Sequence, residues 1–279
     1  MISAFRDWHL KKGNSKVTVD NNLVVLRSFF NWCVATNRLR SHPVHGNRHG
    51  ASKLFFGASS PRKETYTPKE YRSLVGAAGK DLKPVCILLG NTGLRIGELA
   101  MLEWTDIDLR GGWLKIRNKT THDGIEYHPK DKTDRRIPIN PAVETVLSEI
   151  AAAGSRAGYL IGLPKVKSRR DYAERYFIQL LKELGTITGI KQEKLTLHNF
   201  RRFFVSQCAD CGIPMATVMD WVGHDEMEMV MYYYRLRDES AKAAMARFTI
   251  GAGQAPAESE SVSKRSADAV ATPGTKGAR

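Results

Sequence analysis

Three short clusters of basic and aromatic residues have the types and spacing to act on a phosphate ester. In Thr92-Gly93-Leu94-Arg95-Ile96-Gly97-Glu98-Leu99 a glycine-containing turn enters a helix, with Arg95 expected in its first turn and Glu98 three residues on. The free amides of a helix start and the planar fork of a guanidinium together suit phosphate oxygens. The same pair also reads as an ordinary surface ion pair at i, i+3, worth only about a few tenths of a kcal/mol. The second cluster, His198-Asn199-Phe200-Arg201-Arg202, sets His198 and Arg201 on one helical face, either as an anion site or as a solvated basic face. The third is Gly223-His224 followed by Tyr232-Tyr233-Tyr234, where a phenol could serve as nucleophile but where tyrosines more commonly pack. Taken separately, each cluster fits a plain structural role better than a catalytic one.

The elements that must carry these residues are mostly helical. Thr18 to Leu39 reads as one amphipathic helix, with Leu23, Leu26, Phe30, Cys33 and Val34 at helical spacing, Thr18 as a cap, and Arg27, Asn31 and Asn37 on the other face. Ser3 to Lys12 reads as a shorter helix before it, and the glycine, serine, histidine and arginine of His45 to Ser60 read as a linker. A second domain begins at Tyr66, where Thr67-Pro68-Lys69-Glu70 supplies a cap, a first-turn proline and a first-turn acid. Helices are expected at Leu82 to Leu89, Ile96 to Leu102, Pro141 to Ala153, Tyr172 to Leu184, Asn199 to Cys211 and Met215 to Val222. Between them a small sheet is expected from the alternation in Trp113 to Arg117, Ile125 to His128 and Arg136 to Ile139, with Asp123-Gly124 as a turn. The class is therefore mainly α with a small inserted antiparallel β-sheet (α+β).

Order and spacing change the weight of the three clusters. An arginine in T-G-L-R-x-x-E-L, then H-x-x-R, then G-H, then a tyrosine nine positions on, resembles the tyrosine recombinase, or phage integrase, family. That resemblance implies a helical core DNA-binding domain over residues 1–48, short at its N-terminus, a linker over 49–65, a catalytic domain over 66–248 and a disordered tail over 249–279. It implies that Arg95 and Arg201 clamp the scissile phosphate, with His198 between them as proton acceptor or orienting group and His224 completing the contacts. Tyr233 is the implied nucleophile, by its spacing from His224. The family's hairpin lysine, counted back eight from Pro138, falls on Lys130, with Lys132 and Lys119 as rivals, and Glu98 is expected to orient the Arg95 region. The Ala-rich stretch Ser240 to Phe248 is a candidate for docking on a neighbouring protomer or for packing on its own domain.

The chemistry has a physical rationale beside the resemblance. A phosphodiester repels nucleophiles, so two guanidiniums and an imidazole must absorb the charge of the pentavalent transition state. No cofactor or metal is then required, and the sequence offers neither a carboxylate cluster of the two-metal type nor an H-E-x-x-H or paired C-x-x-C pattern. Tyrosine, with a reference pKa of about 10, must lose its proton as it attacks, while the leaving 5′ oxygen must gain one, the role given to Lys130. The covalent phosphotyrosine conserves the bond energy, so rejoining needs no ATP, and the chain has no G-x-x-x-x-G-K-[ST] loop. Cys208-Ala209-Asp210-Cys211 is a lone C-x-x-C, expected as buried reduced thiols.

Charge agrees with a polyanionic partner. The 279-residue chain has 43 Lys plus Arg against 29 Asp plus Glu, a net +14. Between Met1 and Lys63 there are 11 basic and two acidic residues, so this segment holds +9 of that total. The 42% hydrophobic content excludes wholesale disorder, and no apolar run approaches the roughly 18–20 residues that span a bilayer. Met1 to Leu10 lacks the apolar core of a secretory leader, which together with four cysteines suggests a reduced, cytoplasmic and nucleoid-associated chain. The expected partners are double-stranded DNA recombination sites, three further copies of the chain in a homotetramer and an accessory directionality factor, without a membrane. A type IB topoisomerase-like nicking and closing enzyme and a non-catalytic DNA-binding regulator are the alternatives.

Overall fold

The computed structural model describes residues 2–43, 54–57, 64–131, 133–154, 156–223, 227–235 and 245. In chain order the elements begin with α1 (Ile2–Lys11), α2 (Lys16–Ala35), α3 (Pro68–Ala77), α4 (Leu82–Thr92) and α5 (Ile96–Ala100). After a 3-10 turn at Trp104–Asp106 come β1 (Ile107–Asp108), β2 (Trp113–Ile116), β3 (Lys119–Thr120), β4 (Glu126–Tyr127) and β5 (Arg135–Pro138). Then follow α6 (Pro141–Ala153), α7 (Arg169–Thr188), α8 (Leu197–Asp210), α9 (Met215–Val222) and α10 (Met227–Arg235). The protein is thus mostly helical with small antiparallel sheets, the expected class, although the sheet is split in two: β1-β2-β5 and β3-β4. Contacts divide the chain into two compact units, Met1–Lys83 with Phe177–Asn199, and Pro84–Tyr176 with Phe200–Arg279. The expected tail over 249–279, most of the linker, and Ser240 to Phe248 apart from Met245 lie outside the described residues.

In the first unit α2 buries Val19 and Leu23 with Phe55, and Ile2, Phe5, Leu10, Phe30 and Leu54 pack around them. The cap of α2 is Ser15 rather than Thr18: Ser15 is extended and its hydroxyl accepts the Thr18 N–H at 3.2 Å. A serine three residues upstream starts the helix a turn earlier, and the Thr18 hydroxyl bonds Ser15 Oγ at 2.9 Å. Further on, Thr67 and Glu70 form the expected capping box, Glu70 N–H donating to Thr67 Oγ1 at 3.1 Å and Thr67 N–H to Glu70 Oε2 at 2.7 Å, with Pro68 in the first turn.

The second unit holds the sheets. Across β2 and β5, Leu114 faces Ile137 and Ile116 faces Arg135, so the inward face of the pair is apolar except for Arg135. The hairpin of β3 and β4 turns at Gly124, with φ 82°. In the same unit, Phe204, Val205, Cys208, Val218, Val222, Val230 and Tyr233 form one core cluster from α8, α9 and α10. Cys208 is buried there, which pushes its thiol up to about 12, but Cys211 is exposed, against expectation. The reason is local: α8 ends at Asp210, and Cys211 falls in the turn completed by Gly212 at φ 71°.

Candidate active site

Arg95 is not in the first turn of α5 but at its cap. Its N–H donates to Glu98 Oε2 at 2.9 Å and its Nη1 to Glu98 Oε1 at 3.1 Å, so the carboxylate folds back over both the helix start and the guanidinium. The glycine before Leu94-Arg95 is needed on two counts. Gly93 has φ 65°, and a Cβ there would come within 2.5 Å of Phe204 Cδ1. That close approach of backbone to α8 lets the Gly93 carbonyl accept Nη1 of Arg201 at 2.5 Å. Arg201 is wholly buried, and its Nη2 donates to the Val222 carbonyl at the end of α9. A buried guanidinium held by two carbonyls leaves little rotational freedom, so the fold fixes Arg201 against the turn that carries Arg95.

Glu98 joins these groups to the β5 strand. It is 4% exposed and also accepts Arg135 Nη2 at 2.7 Å. Burial alone would raise the Glu98 pKa, but Arg135, by charge and by hydrogen bond, Arg201 by charge and the Arg95 N–H together hold it below the ordinary glutamate value. Arg135 in turn donates Nε to the Trp221 carbonyl at 2.8 Å, tying the strand to α9. Its Nη1 lies 3.6 Å from Asp131 Oδ2, and Arg95 Nη1 lies 4.0 Å from the same oxygen. Glu98 thus bonds Arg95, the contact expected of it, and Arg135 and Asp131 are further members of the cluster that spacing alone does not single out. Arg135 could have been found from alternation, because it sits two residues before the inward-facing Ile137 and shares its face. Its neighbour Arg136 faces the other way and lies over the Trp113 ring at 4.2 Å.

The remaining expected residues are placed unevenly. Lys130 is exposed in the segment between β4 and β5, directly before Asp131. Its rival Lys119 is committed elsewhere: Nζ donates to Glu103 Oε2 at 3.0 Å and to Asp106, both buried, and the lysine side chain is itself 7% exposed. Lys132 and His224 lie outside the described residues. His198 is exposed and falls in the segment assigned to the other compact unit, three residues before Arg201 on α8. Tyr233 is 7% exposed and packs in the core cluster with Val222, whose carbonyl holds Arg201. Its ring meets Tyr232 edge-on at 5.1 Å. Tyr234 donates its hydroxyl to the Ile213 carbonyl, and burial pushes its pKa up to about 12, which suits packing and not attack.

The amino-acid sequence matches a known family of proteins. The model of the Phage integrase family covers residues 64–240, more than half of the chain, and the protein belongs to that family. The tyrosine recombinase XerA of Pyrococcus furiosus is 26% identical over 188 residues, covering 66% of this chain and 61% of that relative. A XerC-like tyrosine recombinase of Caldanaerobacter subterraneus is 24% identical, covering 80% of this chain and 63% of its own. The chain therefore spans a little over three fifths of the length of both. The integrase of transposon Tn1549, solved with a circular intermediate DNA, superposes with TM-score 0.69 at 21% identity over 88% of this chain and 84% of that one. A lambda integrase dimer bound to a core site gives 0.62 at 19%, over 85% and 79%. At such identities the likeness is one of fold.

Proposed function

We propose that the protein is a site-specific DNA recombinase of the tyrosine type, which cleaves one strand to a 3′-phosphotyrosyl intermediate and rejoins it to a new 5′ hydroxyl. The observation that carries this reading is the buried array of Arg95, Glu98 and Arg135, with Arg201 locked beside it through Gly93, in a chain of this family. In the reaction Tyr233 Oη attacks the phosphorus and gives up its proton, with His198 as acceptor or orienting group. Arg95, Arg201 and His224 take up the charge of the pentavalent state, and Lys130 protonates the departing 5′ oxygen. Tyr233 is 7% and Arg201 0% exposed, so on this reading both must become more accessible before they touch a strand.

Neighbours solved with a circular intermediate DNA and on a core site support double-stranded DNA at a recombination site as the substrate, and the proposal adds that a homotetramer exchanges strands there through a Holliday junction. An accessory directionality factor and a cytoplasmic, nucleoid-associated location complete the proposal, and no described helix is long and apolar enough to cross a membrane. The test is to express the chain with candidate element ends, recover DNA bound covalently under denaturing conditions, and sequence it, with Tyr233→Phe as control. An adduct lost in the variant supports the reading. An adduct that survives moves the nucleophile to Tyr232 or Tyr234, and tight DNA binding without adduct supports the regulator instead.

A further inference from the structure

The centre of the cationic array is occupied by the protein itself. The Asp131 carboxylate is 6% exposed, lies 3.6 Å from Arg135 Nη1 and 4.0 Å from Arg95 Nη1, and neither of its oxygens has a hydrogen-bond partner among the described residues. Arg135 Nη1 is likewise buried without a hydrogen bond. The carboxylate also presses on the turn after α9: a Cβ at Gly223, where φ is 90°, would sit 2.1 Å from Asp131 Oδ2. A third unsatisfied group is close, the buried Tyr127 hydroxyl, whose pKa is raised by burial first and then by Glu98, against lowering by Arg135 and Arg170. Buried donors and acceptors normally find partners, and a native protein keeps few that do not. Here an anion sits among guanidiniums at ion-pair distance without the close hydrogen bonds that a permanent structural pair would make.

The geometry points to Asp131 as a displaceable stand-in for the scissile phosphate, with Arg135 as a further positioning residue that holds whichever anion occupies the seat. The inference rests on the recombinase reading only for the identity of the incoming anion. Because Asp131 directly follows Lys130, the exchange couples two events. A phosphate that enters the seat expels the carboxylate, and the same backbone segment then carries Lys130 out of its resting position. The cationic seat is thereby neutralised in the absence of DNA.

The test uses inorganic phosphate as probe. Titration calorimetry of the whole chain compares the natural protein with Asp131→Asn, an isosteric change. The expected result is a phosphate site about fivefold tighter in Asp131→Asn, the size of one partly screened charge pair, with the gain abolished in the double variant Asp131→Asn, Arg135→Gln. Equal affinity in the natural and Asp131→Asn proteins overturns the proposal. A second measurement needs no substitution: amide exchange over residues 130–134 should quicken with added phosphate but not with chloride at the same ionic strength, and unchanged exchange again overturns it. A tighter phosphate site in a chain that forms no covalent DNA adduct leaves the seat standing and removes the recombinase reading. An adduct with unmoved phosphate affinity does the reverse.

Discussion

Replacing Glu98 by Gln removes the one carboxylate that three cationic or polar donors share. Glu98 is 4% exposed and accepts the Arg95 N–H, Arg95 Nη1 and Arg135 Nη2 at 2.9, 3.1 and 2.7 Å. The amide can keep one acceptor, but its NH2 must face a guanidinium, so at least one buried bond is lost and one charge is left uncompensated. Breaking a buried pair from one side costs about 3–5 kcal/mol, and the retained oxygen brings the expectation to the lower end, about 3 kcal/mol. For a protein of this size each kcal/mol moves the melting midpoint by about 2–4 °C, so Glu98→Gln should melt roughly 6–12 °C lower. The pH dependence gives a second signature. The folded-state pKa of Glu98 is held below the ordinary 4.5, so its contribution is fully present above that value and is lost as pH falls through the folded pKa. Thermal melts of both proteins between neutral pH and the acid limb should therefore converge as pH drops below the ordinary value. A variant that melts within a degree or so of the natural chain at neutral pH, or a gap that does not close in acid, would refute the argument that this carboxylate holds the array together.

Gly93→Ala should be costly in both stability and cleavage, because the new methyl must displace Phe204 from 2.5 Å at φ 65° and shift the carbonyl that holds Arg201; denaturant melts and adduct yield check the two together. Lys130→Ala should melt like the natural chain yet lose most cleavage, and a substrate with a 5′-sulfur leaving group, which needs no proton, should restore it. Lys119→Ala should instead lose about 3 kcal/mol in the same melts, since it removes the buried ammonium that Glu103 and Asp106 share and leaves them only their bonds to His122, Arg117 and backbone. Tyr234→Phe should keep its covalent adduct and lose only about 1 kcal/mol with the bond to the Ile213 carbonyl, whereas Tyr233→Phe should yield no adduct.

The helical skeleton was readable from sequence wherever capping chemistry and apolar spacing agree. Thr67, Pro68 and Glu70 mark the start of α3, and α6 and α9 run from Pro141 to Ala153 and from Met215 to Val222 as expected. What escaped were the shortest elements, which exist only through their pairing. β1 and β3 have two residues each, too few to show a period, and they exist because Ile107 pairs with Leu114 and Lys119 with Tyr127. In the candidate site, spacing singled out Arg95, Arg201 and Tyr233, but it gave no sign that Arg201 and Tyr233 are buried, since that follows from α9 and α10 closing over α8. Arg135 and Asp131 escaped because an Arg-Arg step in a basic loop looks like solvated charge until the strand register turns one of the two inward.

The second unit contains two buried charge networks, and their difference separates structure from chemistry. In one, Glu103 accepts from Lys119 and from His122, through both its N–H at 2.9 Å and its Nδ1 at 2.6 Å. Asp106 there accepts from Lys119, from the Glu103 N–H at 3.0 Å and from Arg117 Nε at 3.0 Å. No side-chain atom of Glu103, Asp106 or Lys119 is among the described buried groups that lack a hydrogen bond, so this network is closed and ties the β3-β4 hairpin to the 3-10 turn. In the other, Glu98 is equally well satisfied on the inner side, while on the side of Lys130 both oxygens of Asp131 and Nη1 of Arg135 have no hydrogen bond among the described residues. The first draws on the 3-10 turn, the β3 lysine and the turn after it, with Arg117 and His122 about half exposed, whereas the second joins α5 to β5 and the buried Asp131 before it. The open side belongs to the segment between β4 and β5 that carries the exposed Lys130. Incomplete satisfaction at that side, rather than charge alone, marks the array around Arg95 and Arg135 as a place kept for a ligand.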